Sequence, residues 1–157
     1  MSGVLVIWVG KRASKGFEEL ASEYAGRISR HLPFAEVRVR PMAGRQDPRR
    51  TLAGEAAAIR RHLEPTDAVV ALDEHGRERT TTALAAWLSG RRRHGRTVFV
   101  IGSDLGLDAE LKAAAHELLA LSRLTLPHQL ARLVLLEQLY RACDLLAGGQ
   151  YHRGALG

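Results

Sequence analysis

Residues 121–142 have the sequence LSRLTLPHQLARLVLLEQLYRA, and this stretch decides the fold of the chain. Pro127 suits the first position of a helix, because its fixed φ matches a helical start and its missing N–H is not needed there. From Leu130 to Leu146, apolar side chains point in almost every direction around the predicted helix. A helix of this kind is expected to be buried on most of its sides.

A narrow polar stripe runs along the same helix and consists of Glu137, Arg141 and Asp144. Glu137 and Arg141 have the i,i+4 spacing and the order that favour an ion pair, so the stripe can have a purely structural role. The apolar surface of the helix is larger than one face of a sheet can cover. We therefore expect a homodimer in which the same helix of a second copy covers the remainder.

Composition favours a folded protein with a polyanionic partner. The chain has 157 residues, 46% of them hydrophobic, and its net charge of +6 favours nucleic acid as the partner. Cys143 is the only cysteine, so no intramolecular disulfide can form and a reducing cytoplasm is the expected location. No apolar run has the length of a membrane span, and we expect a soluble protein without a membrane partner.

Segments with strand periodicity and helix periodicity alternate five times along the chain. The expected strands are 4–9, 35–40, 67–72, 97–101 and a run before Pro127, and the expected helices are 17–32, 52–63, 80–90, 108–118 and 127–146. This order predicts a single α/β domain, with a mainly parallel sheet of five to six strands and helices on both faces. The strand at 35–40 alternates apolar and charged residues, which places it near an edge.

Three segments follow the carboxyl ends of expected strands, where ligands of open parallel sheets bind. They are Leu72-Asp73-Glu74-His75-Gly76-Arg77, which turns away from the third strand, the loop from Gly102 to Gly106, and residues 121–126. A glycine loop after a strand is a weak signal, since it can serve only to close a tight turn. The dinucleotide fingerprint GxGxxG is absent, which disfavours a Rossmann cofactor site.

The chain has no motif for metal or hydrolytic chemistry. Its seven histidines include no HExxH pair and its one cysteine cannot supply zinc-ligand spacing, so no metal is predicted. The basic segment Arg91-Arg92-Arg93-His94-Gly95-Arg96 has two open interpretations, a solvated helix end or a contact with RNA phosphates. Residues 41–48 contain proline, glycine and aspartate, and predict a mobile loop.

Four segments together resemble the RlmH-type rRNA pseudouridine methyltransferases of the SPOUT class. They are LTLPHQLARLVLLEQLYRA, the LD-x-x-G-[KR] motif at 72–77, the IG-x-x-x-GL loop at 101–107 and the ending Tyr151-His152-Arg153. The resemblance covers nearly all of the chain. It implies one α/β-knot methyltransferase domain over residues 1–157, a C-terminal trefoil knot, a homodimer, and methylation of N3 of a pseudouridine in 23S ribosomal RNA on the ribosome. The sequence leaves open whether the substrate is free RNA or the assembled ribosome.

The resemblance also implies which residues bind the cofactor S-adenosylmethionine. They match the pocket of the family and are Leu72, Gly102, Leu121, Ser122, Arg123, Leu124, Thr125 and Leu126. The family usually has a second glycine at the position of Ser103, and serine adds strain of about 1 kcal/mol if this residue takes a positive φ. The change Ser103→Gly is therefore expected to leave cofactor binding equal or better.

The tail Tyr151-His152-Arg153 combines an aromatic ring, an imidazole and a guanidinium, groups that can hold a looped-out base. We expect these three residues to bind RNA and to serve chemistry rather than stability, with His152 and Arg153 as the catalytic candidates that assist loss of the N3 proton. The alternative for this segment is a frayed terminus. Residues 154–157 extend past the usual end of the family.

Methyl transfer from a sulfonium needs in-line positioning and a deprotonated acceptor, both of which a shaped pocket can supply. A function from another class remains open at this point. It is a non-catalytic ribosome-binding protein that keeps the fold and the basic surface but has lost cofactor binding through Ser103.

Overall fold

The computed structural model describes residues 2–42, 47–91 and 94–153. In this part of the chain five strands alternate with five helices. The strands are β1 (Val4–Val9), β2 (Phe34–Val39), β3 (Ala68–Glu78), β4 (Thr97–Ile101) and β5 (Glu117–Ala120). The helices are α1 (Lys15–Ser29), α2 (Pro48–Arg60), α3 (Thr81–Arg91), α4 (Ala109–Ala114) and α5 (His128–Leu146).

All neighbouring strands pair in parallel, in the order β2-β1-β4-β3-β5. β2 is therefore an edge strand, as its alternating sequence predicts. Because every strand runs in the same direction, all carboxyl ends lie at one edge of the sheet, which is the edge that binds ligands in such folds. The predicted α/β class and the mainly parallel sheet are confirmed.

Helices cover both faces of the sheet. Val6 and Trp8 of β1 belong to an apolar cluster with α1, α3 and α5, whereas Leu5 and Ile7 belong to a cluster with α2 and α4. Successive side chains of a strand point to opposite faces, so one strand contributes to both clusters. The continuously apolar sequence of β1 follows from this position, since both of its faces are buried.

β3 is longer than the sequence predicts. Residues 73–76, which were expected to form a turn, continue the strand, and the pairing of β3 with β5 shifts its register across them. Gly76 permits this, because a Cβ atom added to it would lie 2.6 Å from the carbonyl carbon of Leu118 next to it in β5. Two backbones can approach this closely only where one residue has no side chain.

The helix expected at 108–118 is shorter than predicted, because β5 begins at Glu117, before the expected end of the helix. His116 already pairs with β3, since its N–H donates to the carbonyl of Val69 at 2.9 Å and its Nδ1 accepts the N–H of Val69 at 3.0 Å. Tertiary pairing thus overrides the helical spacing of the apolar residues. The run 121–126, expected to be strand-like, follows β5 and is a loop.

Two further boundaries differ from the prediction. Pro127 precedes α5 with an extended ψ of 148° and is not its first helical residue. α2 begins at Pro48, and the side chain of Asp47 accepts the N–H of Arg49 at its start. Residues 43–46 of the loop expected at 41–48 lie outside the described part of the chain.

Arg132 of α5 is buried, with 5% of its surface exposed, and forms the centre of an ion network that the sequence did not indicate. Its Nε and Nη2 donate to the two carboxylate oxygens of Glu36 at 2.8 and 3.1 Å, and its Nη1 donates to Glu18 at 2.8 Å. The guanidinium carbon also lies 4.2 Å from the ring centroid of Trp8. Burial alone would lower the pKa of Arg132, but the hydrogen bonds that it donates to Glu36 and Glu18 outweigh burial and raise this pKa. The network joins α5 to α1, β1 and β2.

We predict that Arg132→Ala lowers the free energy of unfolding by about 3 kcal/mol, because Glu36 and Glu18 then lose the cation that compensates their partial burial. Urea denaturation measures this change. The matched control is Lys15→Ala, which removes an exposed pair with Glu19 at 3.9 Å and should change stability by less than about 0.5 kcal/mol. Equal stabilities of the two variants would show that the network contributes nothing.

Candidate functional site

A cavity of about 630 Å³ opens at the carboxyl edge of the sheet. Its walls are formed by residues 72–75 of β3, Ile101 at the end of β4 and the loop 102–107 after it, Lys112 of α4, Leu119 of β5, residues 121–122 and 124–127 after β5, and His128 and Ala131 of α5. This is the edge at which parallel sheets bind ligands, and the size suits a cofactor. The three segments that the sequence placed after strand ends therefore meet around one space.

Seven of the eight predicted cofactor-binding residues line this cavity, and they are Leu72, Gly102, Leu121, Ser122, Leu124, Thr125 and Leu126. Arg123 does not line it. Its side chain is 87% exposed, and its Nε lies 3.4 Å from a carboxylate oxygen of Glu78. The structure thus brings seven of the predicted residues together and leaves one at the rim.

The glycine loop after β4 is closed by its own backbone. The N–H of Gly106 donates to the carbonyl of Ser103 at 2.8 Å, and Gly106 has a φ of +86°. A Cβ atom on Gly102 would overlap the carbonyl of Gly106, so this position needs glycine to close the loop. No residue other than glycine has a positive φ in the described part of the chain, so the strain expected at Ser103 is absent.

Side-chain hydrogen bonds hold the loop 121–126 in place. Ser122 Oγ accepts the N–H of Leu124 at 2.9 Å, and Thr125 Oγ1 donates to Glu74 of β3 at 2.6 Å. Leu124 and Leu105, on facing loops, are 75% and 54% exposed. A hydrogen bond between two wall segments of the cavity therefore lies next to large, exposed apolar side chains.

The cavity also contains polar groups that are not among the predicted site residues. Asp73 accepts the N–H of His75 at 2.9 Å and the ammonium of Lys112 at 3.1 Å. The N–H of His75 is the main reason that the pKa of Asp73 lies below its ordinary value; burial opposes this effect and Lys112 adds to it. His128 Nδ1 lies 2.7 Å from Asp104. Asp73 lies in the LD-x-x-G-[KR] motif, directly after an expected strand, and His128 lies at the start of an expected helix. These positions in the sequence could have indicated that both residues belong to the site.

The tail is docked on the protein and is not frayed. The N–H of Tyr151 donates to Asp144 at 2.9 Å, its hydroxyl donates to Glu137 at 3.2 Å, and its ring centroid is 4.7 Å from that of Tyr140. The hydrogen bond with Tyr24, burial and the charge of Glu137 raise the pKa of Tyr151. Removing Tyr151 would therefore affect stability, contrary to the expectation that the tail serves RNA and chemistry alone.

The other two tail residues are more accessible than Tyr151. His152 is half-buried, with its Nδ1 3.4 Å from Arg141 Nη1, and Arg153 is exposed. Residues 154–157, which extend past the usual family ending, lie outside the described part of the chain. Of the basic segment 91–96, Arg96 is bound to Asp67 at 3.0 and 2.8 Å, which favours a structural role for this arginine. Residues 92 and 93 lie outside the described part.

Within one chain the tail and the cavity lie on different sides of α5. Tyr151 contacts Glu137, whereas the cavity is lined by His128 at the start of the helix. The two helix positions are nine residues apart, which corresponds to about 14 Å along the axis. Nine residues also make about two and a half turns, so the two side chains point to opposite sides of the helix. The structure therefore assembles the predicted cofactor residues but does not bring the catalytic candidates to them.

Residues 3–152 match the family model described as "Predicted SPOUT methyltransferase". The chain belongs to the SPOUT methyltransferase family. The proteins called ribosomal RNA large subunit methyltransferase H from Solidesulfovibrio magneticus and Bordetella pertussis are 44% and 40% identical to it. These alignments cover 97% and 96% of this chain and 99% and 98% of the relatives. The family resemblance of the sequence is thereby confirmed, and the protein is a methyltransferase.

A solved structure supports the fold of this SPOUT methyltransferase. A probable methylase family protein from Haemophilus influenzae superposes with a TM-score of 0.59 at 12% identity, over 96% of this chain and 70% of that chain. Within residues 2–42, 47–91 and 94–153, no group of three or more His, Cys, Asp or Glu side chains is arranged to hold a metal ion. No helix in the same ranges has the length and hydropathy to cross a membrane.

We predict that Gly102→Ala weakens binding of S-adenosylmethionine about tenfold or more, because the added methyl group displaces Gly106 and shifts the loop by about 1 Å. Titration calorimetry on the folded variant measures the effect. Gly90→Ala is the control, since a Cβ atom there meets nothing within 4 Å and Gly90 lies in α3, away from the cavity. Equal affinities of Gly102→Ala and Gly90→Ala would show that the cofactor binds elsewhere.

Proposed function

We propose that this SPOUT methyltransferase transfers a methyl group from S-adenosylmethionine to N3 of a pseudouridine in large-subunit (23S) ribosomal RNA. It would act on the assembled ribosome in the cytoplasm. The observation that carries the proposal is the cavity at the carboxyl edge, which is lined by seven of the eight residues selected from the sequence as the cofactor site. The names of the relatives, which are similar over nearly their whole length, point to the same RNA.

The cavity fits S-adenosylmethionine in its chemistry. Leu72, Leu121 and Leu126 offer apolar surface for the adenine base. Asp73 and Glu74 offer carboxylates to ribose hydroxyls or to the amino group of the methionine part. The loops after β4 and β5 add backbone groups, so binding does not depend on a single side chain.

The bound cofactor supplies an activated methyl group on a sulfonium. The acceptor N3 titrates above neutral pH and must lose its proton before it can form the new bond to the methyl carbon. The carbon–sulfur bond of the methyl group would break as this bond forms, and the electron pair would stay on sulfur, so that a neutral thioether leaves. Arg153, which is exposed, would stabilise the resulting anion by its charge. His152 would accept the proton and pass it to solvent.

A homodimer would bring the cavity and the tail together. We infer that two copies pair through α5, so that the tail of one protomer reaches the cavity of its partner. The exposed apolar side chains of Leu105, Leu124 and Leu130 lie at the cavity rim and at the start of α5, where such a pairing would cover them. The trefoil knot that the resemblance implies stays a prediction.

The non-catalytic alternative has lost its physical basis. It rested on strain at Ser103, and this residue has no positive φ. The family to which the chain belongs consists of methyltransferases by description. We therefore keep the enzymatic function as the single proposal.

We predict that ribosomes lacking the modification accept one labelled methyl group per large subunit from labelled S-adenosylmethionine. Mass spectrometry of the digested RNA should place the label on N3 of a pseudouridine. Ribosomes that already carry the modification are the control and should take up no label. Free 23S RNA tested in parallel shows whether assembly is required, and absence of label in every substrate would refute the proposal.

We predict that activity can be restored between two inactive variants, because each active site takes its cavity and its tail from different protomers. Gly102→Val disables the cavity, and the double change His152→Ala with Arg153→Ala disables the tail. When the two are co-expressed, about half of the dimers are mixed and each has one intact site, so roughly a quarter of wild-type activity should return. Co-expression of two differently tagged Gly102→Val chains is the control and should stay inactive. An inactive mixed dimer would place both parts of the site in one chain.

A further inference from the structure

Glu55 is a buried carboxylate that lies outside the walls of the cavity. It belongs to α2, and only 3% of its surface is exposed. Its Oε1 accepts the hydroxyl of Ser103 at 2.9 Å, and its Oε2 accepts the N–H of Met42 at 3.0 Å. One side chain thus connects α2 to the loop after β4 and to the segment after β2.

Both partners of this carboxylate are neutral. No lysine, arginine or histidine of the described residues lies within ion-pair distance of Glu55. Burial of a carboxylate without a cation is unfavourable, so an apolar side chain would serve the packing of α2 better. The position of Glu55 therefore indicates a role beyond stability.

The loop that Glu55 holds is part of the cavity wall. Ser103 lines the cavity, and its carbonyl accepts the N–H of Gly106, so the same residue is held through its main chain and its side chain. A glycine at position 103 could make no side-chain bond to α2. A serine here can fix the loop against α2, provided that α2 presents an acceptor.

We propose that Glu55 is a positioning residue for the cofactor, which acts through Ser103 by holding the loop 102–107 in its binding conformation. The proposal rests on the proposed function for the identity of the ligand, S-adenosylmethionine. It reverses the expectation for Ser103→Gly, which loses the bond to Glu55 and should bind the cofactor more weakly. The serine is then a working part of the site and not a defect.

The test compares three single variants and one double variant by calorimetric titration with S-adenosylmethionine. Ser103→Ala and Glu55→Leu should each raise the Kd about fivefold, and the double variant should add little more, because both changes remove the same bond. Glu55→Gln should restore a Kd within about twofold of wild type, since its amide can donate to Ser103 and its oxygen can accept from Met42. Wild-type affinity in folded Ser103→Ala would overturn the proposal.

Two measurements separate loop positioning from loss of stability and from failure of the proposed function. Ile59→Val, one turn further along α2, lowers stability by removing a buried methyl group and should leave the Kd unchanged. Hydrogen exchange of the Gly106 amide, measured without cofactor, should accelerate in Ser103→Ala and Glu55→Leu but not in Glu55→Gln. Unchanged exchange would refute the role of Glu55, whereas wild-type protein that fails to bind the cofactor would refute the proposed function alone.

Discussion

The parallel pairing of β3 with β5 determines where the site can form. It places the ends of two strands next to each other, so that Leu72 and Leu121 line the same cavity although they are far apart in sequence. The pairing depends on Gly76, whose missing side chain lets the second half of β3 approach the backbone of Leu118. β4 lies on the other side of β3, and its glycine loop completes the wall.

The orientation of α5 depends on a charged contact in an apolar environment. Arg132 binds Glu36 of β2 and Glu18 of α1 and stacks on Trp8, so the start of the helix is joined to three elements at once. The same start supplies His128 and Ala131 to the cavity. A directional network of this kind restrains the helix in rotation and in position, which apolar packing alone does less strictly.

The two ends of the long helix have separate tasks. Its first turn borders the cavity, whereas its later polar stripe binds the returning tail through Glu137 and Asp144. The ion pair between Glu137 and Arg141, expected from their spacing, is present. Both residues also contact Tyr151, because Glu137 accepts its hydroxyl and Arg141 lies over its ring. The ion pair and the docking site of the tail thus share the same residues, and the separation of the tail from the cavity leads to the dimeric site that we propose.

By itself, the sequence determined the α/β class, the edge position of β2 and, through its family resemblance, seven of the residues that line the cavity. The class and the edge position depend on local periodicity, which is visible in short segments, whereas the lining residues follow from the match of whole motifs to the family. Only the tertiary structure decided that residues 73–76 continue β3, that Arg132 is buried and that Glu55 reaches Ser103. Each of these depends on hydrogen bonds between residues that are distant in the chain, and such bonds leave no periodic signal in the sequence because either partner alone has the pattern of an ordinary surface residue.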